Sequence, residues 1–397
     1  MKILVADKFP ARHLDRLQGL GLPVSYEPDL ETEALAAAAA DASVLIVRGT
    51  KVDRAVFEKG RALSLVVRAG AGVNTIDLDA ASERGVYVTN CPGKNAVAVA
   101  ELAIGLLIAL DRRIPDAVAD FRAGKWDKKE YGKADGLFGK ALGVVGFGQI
   151  GIEVASRAAA FGLRVSAWSR SLTTERASAL GIGWHPSPLE LASSVDAVSV
   201  HLALTPDTRG LLDRRFFGAM RPGGYFVNTA RAEVVDEVAM IAAVREKGIR
   251  VATDVFEGEP KEATGSVESE LQTSPVYVTH HIGASTEQAQ DAVAAEAVRI
   301  VRTFLSTGEV LHCVNLRDQS PARAQLVVRH EDRPGVLAGV LDVLRRAGIN
   351  VEEMDNQVFR GAKAAVARVR VAERPGDAVV SEIRSQPAVI HLDVIDL

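Results

Sequence analysis

Residues 143–162 read GVVGFGQIGIEVASRAAAFG, and this stretch decides the fold. An apolar strand runs into Gly146, Gly148 and Gly151, and a helical pattern follows with Ile150, Val154, Ala158 and Phe161 on one face. A second strand, LRVSAW, comes next. A glycine triplet alone says little, but between strand and helix it marks a dinucleotide site. Gly146 permits the tight turn, Gly148 lets a pyrophosphate approach the backbone, and Gly151 lets the helix pack on the strand. The free N–H groups of the helix start, around Gln149 and Ile150, then face the phosphates. A carboxylate that reads the ribose 2′-hydroxyl is expected about 20 residues on. Ser169 stands there, with Arg170 after it. An arginine can pair with a 2′-phosphate, so the pair leans toward NADP(H); a serine bonding the ribose hydroxyls of NAD(H) is the alternative.

Outward from this stretch, the chain alternates strands and helices. ILVA, VLIV, LVV and VYV before residue 90 are strands, with LETEALAAAAADA a helix. GVVGF, RVSAW, AVSVHL, GYFVN and VYVTH form a second series. Such alternation predicts parallel sheets covered by helices. A helix from about Ala96 to Leu110 leads from the first series to the second, and the amphipathic segment after His281 returns to the first. The predicted class is α/β, with two doubly wound parallel-sheet domains. A discontinuous first domain (1–94 and 286–316) encloses an inserted Rossmann domain (95–285). A polar, proline-containing linker (317–322) leads to residues 323–397, whose βαββαβ order predicts a ferredoxin-like domain.

Composition narrows the function class. The 397 residues carry a net charge of −4 with 25 % charged residues, which gives no basic excess for nucleic acid or an anionic membrane. The longest apolar run, 96–110, contains Glu101 and is too short to span a bilayer. The opening MKILVAD reads as a buried strand and not a secretory signal, which points to the cytosol. The two cysteines, Cys91 and Cys313, fit no metal spacing and read as reduced thiols.

Three further stretches carry ionisable groups: NTARAEVVDE with Arg231, TDVFEGEP with Asp254 and Glu259, and VTHHIGAS with His280 and His281. A planar guanidinium can hold a carboxylate by two parallel bonds. A histidine can take a hydroxyl proton at neutral pH, and a glutamate beside it raises its pKa and orients the ring. In their order RAGAGVNTID, NAVAVAEL, GFGQIG, NTARAEVVDE, DVFEGEP, HIGAS, these segments resemble the D-isomer-specific 2-hydroxyacid dehydrogenase family over about residues 1–315. The resemblance is strongest to the branch that oxidises 3-phosphoglycerate for serine synthesis and carries a C-terminal regulatory domain of the ACT type.

The resemblance implies roles residue by residue. Arg231 matches the carboxylate-binding arginine, His281 the acid/base, Glu259 its partner, and Asp254 an aspartate near the nicotinamide amide. Arg48, Arg68 and the backbone from Ala69 to Gly72, including Gly70, would line the substrate cleft. Asn95 would contact substrate or cap its helix, and Lys128 would reach a neighbouring subunit's site or lie solvated beside a packed Trp126. The loop after Arg48 is one residue shorter than the family's R-S-x-T, which leaves phosphate recognition by that loop open. His280 stands where the family has proline, and Ala232 where it has glycine. His330, Asp332 and Asn350 match positions that hold L-serine across a dimer interface in regulated relatives, so a homodimer or homotetramer with an amino-acid effector is implied. Within the enzyme class, the alternative is an NADP-dependent glyoxylate or hydroxypyruvate reductase. Outside it, the fold also serves dinucleotide-sensing corepressors.

Overall fold

The computed structural model describes residues 1–30, 32–260, 265–317 and 319–397. Glu31 in the expected LETEALAAAAADA helix and Asp318 in the expected linker lie outside the described residues. The chain divides into two compact units, Met1–Asn315 and Leu316–Leu397.

The first unit holds two parallel sheets. One is ordered β2-β1-β3-β4-β5, from β1 (Ile3–Val5), β2 (Val24–Tyr26), β3 (Val44–Val47), β4 (Leu65–Arg68) and β5 (Tyr87–Thr89). The other is ordered β12-β11-β10-β9-β6-β7-β8, from β6 (Ala141–Val145), β7 (Arg164–Trp168), β8 (Gly183–Trp184), β9 (Ala197–Val200), β10 (Tyr225–Asn228), β11 (Arg250–Thr253) and β12 (Val276–Val278). Strands covered on both faces read as continuous apolar runs, which is why VLIV and AVSV are wholly buried. β2, β8 and β11 are strands that the sequence reading passes over. β2 is short and only partly covered, β8 is two exposed residues, and β11 follows the Gly248 helix stop almost at once.

Helix ends follow local chemistry. Asp53, Asp77, Asp213, Asp236 and Thr286 each accept from a backbone N–H in the first turn of the following helix. The helix Ala96–Arg112 is buried along most of its length and stops at Arg113 (φ 51°), two residues before Pro115. The helix Glu287–Thr307 packs Val293, Ala297, Ile300 and Val301 against Ile3, Val5, Val44 and Leu65, so a late segment completes the core of the first sheet. The glycine-rich helix spans Gln149–Ala160. Val154 and Ala158 face the core as expected, whereas Phe161 is the C-cap and is half-exposed, because the helix ends one residue before it. Gly146 has φ 96°, and a Cβ there would overlap the carbonyl of His201, so only glycine fits the turn. Among the described residues, no helix is long and apolar enough to cross a membrane.

The second unit is a four-stranded antiparallel sheet, ordered β14-β15-β13-β16, from β13 (Ala324–Glu331), β14 (Val351–Val358), β15 (Ala364–Val371) and β16 (Val389–Asp396). The helices Val336–Arg346 and Asp377–Arg384 supply Val340, Leu344, Val380 and Ile383 to its core. This is the βαββαβ order that the sequence predicts.

Substituting Gly151 tests the close packing of the glycine turn. A Cβ on Gly151 would overlap the Gly146 carbonyl oxygen, a backbone atom held by the strand. Gly151→Ala is expected to destabilise the protein by about 1–3 kcal/mol in denaturant unfolding. Wild-type stability in the variant would show that the turn is looser than described.

Candidate active site

In open α/β sheets, ligands bind outside the carboxyl ends of the strands, where strand order reverses. The first sheet reverses between β1 and β3, and the second between β6 and β9. Asp7 and Lys8 lie just past the end of β1, Arg48 follows β3, and Arg68 ends β4. Gly146 follows β6, His201 β9, Arg231 β10, Asp254 β11 and His281 β12. Residues scattered over the chain therefore meet at corresponding ends of two sheets.

The loop that carries His281 is held by Asp254. The buried Asp254 carboxylate accepts from the Thr279 hydroxyl (2.6 Å) and from the N–H groups of Ile282 (2.9 Å) and Gly283 (2.8 Å). The His281 N–H donates to the Asp254 carbonyl (3.0 Å), and His281 adopts φ 52°. A non-glycine residue in the left-handed region persists only where its surroundings fix it. Three of the Asp254 lone pairs are thus engaged within the chain, so the carboxylate braces the His281 loop where the sequence reading set it toward a nicotinamide amide.

His281 Nδ1 lies 2.8 Å from Glu259 Oε2. The hydrogen bond to Glu259 raises the His281 pKa above its ordinary value, against the opposing effect of partial burial. Half-burial works against the Glu259 carboxylate, but bonds from His281 and the Phe256 N–H outweigh it and hold its pKa below the usual range. With Nδ1 tied to Glu259, Nε2 is left to meet a ligand. The neighbouring His280 is exposed.

Arg231 reaches across to the first sheet. A Cβ on Gly72 would come within 2.9 Å of Arg231 Nη2, and one on Gly70 would overlap the Arg68 guanidinium. Both glycines leave room for cations. Arg231 Nη1 donates to the Ala230 carbonyl (2.6 Å), which fixes the plane of the guanidinium. Burial first, then the charges of Arg231 and Arg48, lower the Arg68 pKa. Arg68 Nε is buried with no partner, as is Asn95 Oδ1. Asn95 makes no side-chain cap bond to its helix, so helix capping does not account for it. A cavity of about 200 Å³ is lined by Lys8, Arg48, Arg68, Gly70, Asn95 and His281, among others.

The glycine turn offers backbone. A Cβ on Gly148 would meet nothing within 4 Å, while Gly146 and Gly151 are closed in, so Gly148 alone opens outward at the helix N-terminus. The Gln149 side chain lies against Gly93 and Ile150 packs on the core, so their N–H groups and not their side chains are available to a cofactor. His201 sits beside this turn, a residue the sequence reading missed. Burial pushes its pKa down to about 3, its Nε2 is 2.8 Å from the Ser199 hydroxyl, and its Nδ1 is buried and unpartnered. Arg170 Nη1 pairs with Asp207 Oδ2 at 3.0 Å, with both side chains exposed. A nucleotide's phosphates and ribose fit these backbone and neutral polar groups.

Other expected residues lie apart. Lys128 opens the helix Lys128–Tyr131, which has no buried residue, and does not line the cavity, and Trp126 is 81 % exposed, so it is no packing anchor among the described residues. In the second unit, His330 is buried, with Nδ1 2.8 Å from the Glu331 carbonyl and Nε2 3.1 Å from Asn356 Oδ1. Asn350 donates to Glu352 (2.8 Å), and Asp332 is exposed. His330 is thus bonded within the sheet, while Asp332 is open to solvent. Burial pushes the Cys91 thiol up to about 12, consistent with an inert core cysteine.

The His281–Glu259 bond predicts a titration. In wild type the His281 imidazole resonance should titrate above the ordinary histidine value, and Glu259→Gln should move that titration to lower pH. An unshifted titration in the variant would show that the carboxylate does not govern the ring.

Residues 104–283 match the family model "D-isomer specific 2-hydroxyacid dehydrogenase, NAD binding domain", and residues 324–388 match the ACT domain. The D-3-phosphoglycerate dehydrogenase of Methanocaldococcus jannaschii is 39 % identical over 316 residues, covering 78 % of this chain and 59 % of that protein. The chain spans about three-fifths of the length of the curated relatives it matches. Among solved structures, the TT0316 protein of Thermus thermophilus is similar with a TM-score of 0.71 and 33 % identity, over 79 % of this chain and 100 % of that one. The NAD+-bound 3-phosphoglycerate dehydrogenase of Entamoeba histolytica is similar with a TM-score of 0.66 and 28 % identity, over 80 % and 99 %. Sequence motifs, sheet topology and relatives agree: the chain belongs to the D-isomer-specific 2-hydroxyacid dehydrogenase family, with a nicotinamide-cofactor lobe followed by an ACT domain.

Proposed function

We propose that this chain oxidises 3-phosphoglycerate to 3-phosphohydroxypyruvate, as a D-3-phosphoglycerate dehydrogenase. The observation that carries the reading is the convergence of Arg48, Arg68 and His281 on one small cavity, with Arg231 against Gly72 beside it. Two anionic groups on a short substrate suit such a cluster better than the single carboxylate of glyoxylate. The family's 39 % identical relatives of that name point the same way.

The residues divide the work. Arg231 and the backbone at Gly70–Gly72 hold the substrate carboxylate and so fix the reacting carbon. His281 Nε2 takes the proton of the 2-hydroxyl, and Glu259 stabilises the imidazolium that forms. Asp254 acts through the loop, as a positioning residue. The Gly146–Gly151 turn holds the nucleotide by its backbone, and the bound nicotinamide supplies hydride acceptance.

NAD(H) is the cofactor we favour. The Ser169–Arg170 pair leans toward NADP(H), but Asp207 already occupies Arg170. A 2′-phosphate would have to displace that carboxylate and would meet its charge. For the partner surface, we propose a second copy of the chain. The helix Ile114–Arg122 has no buried residue and exposes Ile114, Val118 and Phe121 on one face, next to Trp126 and Lys128. Amino-acid effector binding by the ACT domain belongs to the same proposal, with the exposed Asp332 as its polar contact in place of His330, whose ring is engaged within the sheet.

Nicotinamide reduction by the purified chain with 3-phosphoglycerate, glycerate and glycolate tests the reading. The phosphorylated acid should have the highest kcat/KM, and His281→Asn should lower kcat by about 10²–10⁴. Equal turnover of all three acids, or normal turnover in the variant, would contradict it. Asp207→Asn frees Arg170 and should raise the NADP-to-NAD ratio of kcat/KM several-fold; an unchanged ratio would remove Asp207 from cofactor choice.

A further inference from the structure

The loop after β3 is the natural place to seek a phosphate grip, because consecutive backbone N–H groups can form an anion cradle. Here that cradle is filled from within. The N–H groups of Arg48, Gly49 and Thr50 all donate to Asp7 Oδ2, at 2.6, 3.0 and 3.1 Å. One carboxylate oxygen thus collects three successive amides, and the shortened loop takes its course around it. These amides cannot also serve a ligand, so a phosphate in this cleft must be met by side-chain donors.

The residue after Asp7 is placed to supply it. Lys8 lines the cavity of about 200 Å³ together with Arg48, Arg68 and His281. It also lines an adjoining, wider cavity of about 700 Å³, and so stands where the two meet. Arg12 in that wider cavity is held by Asp291, whereas Lys8 makes no ion pair among the described residues. A compact ammonium with three donors suits a phosphate that can present any of its oxygens.

We propose that Lys8 is the phosphate-recognition residue of this cleft, in place of the loop amides that Asp7 occupies. The substrate then lies with its carboxylate toward Arg231 and Gly70–Gly72, its 2-hydroxyl at His281, and its phosphate at Lys8, where the small cavity opens into the large one. This rests on reading the cleft as the site of a phosphorylated hydroxy acid.

Lys8→Met and Lys8→Arg in the full chain test it. The ratio of kcat/KM for 3-phosphoglycerate over that for D-glycerate should fall at least tenfold in Lys8→Met, mainly through KM. The competitive inhibition constant of inorganic phosphate should rise in parallel, and Lys8→Arg should recover most of both. A wild-type ratio in Lys8→Met would overturn the proposal. If wild type oxidises neither acid, the functional reading fails, and calorimetric binding of inorganic phosphate decides Lys8 separately. Binding at least tenfold weaker in Lys8→Met supports the assignment; equal binding, or none in wild type, overturns it.

Discussion

The structure turns on an electrostatic constraint: Lys8, Arg48, Arg68 and Arg231 gather around one cleft, and none of them forms an ion pair among the described residues. Like charges brought together in a partly buried site repel more strongly than in water. Burial adds to the cost at Arg68, whose Nε is enclosed without a partner. An anion with two charged groups relieves both penalties at once. His281, which lines the same cleft, is meanwhile kept basic by Glu259. Charge selects the ligand, and the paired imidazole provides for proton transfer.

The sheets make that gathering possible. Parallel strands direct all their carboxyl ends to one side, so the loops after β1, β3 and β4 and those after β6 to β12 can present their side chains together. Two carboxylates brace these loops. Asp7 fixes the 48–50 loop, and Asp254 fixes the 279–283 loop with His281 in a left-handed conformation. Each brace converts backbone amides into a rigid mount for the cation or imidazole beside it, and rigidity of this kind is what positions reacting groups.

Much of this was legible in the chain. GFGQIG between strand and helix carries its own geometry, because glycine spacing records backbone approach. Arg231, Glu259 and His281 stand out in the sequence because the order of the segments that carry them resembles the family's. What stayed hidden depends on contacts distant in sequence. Asp7 merges into the opening segment MKILVAD, with Lys8 just after it, and only the fold shows that Asp7 accepts three bonds from residues 41 or more positions away. Arg170 reads as a free cation until Asp207, 37 residues on, is seen beside it. The bond between His330 and Asn356, 26 residues on, is likewise invisible until β14 lies beside the ring. Phe161 fits a helical period but falls past the last turn, since periodicity does not mark where hydrogen bonding stops.

The cationic cleft and the His281–Glu259 pair must serve the same bound molecule. The His281 titration, followed by NMR with and without saturating 3-phosphoglycerate, tests this most directly. A dianion held beside the ring stabilises the imidazolium, so the pKa should rise further on binding. A titration that the ligand leaves unmoved would place the anion elsewhere and contradict the account.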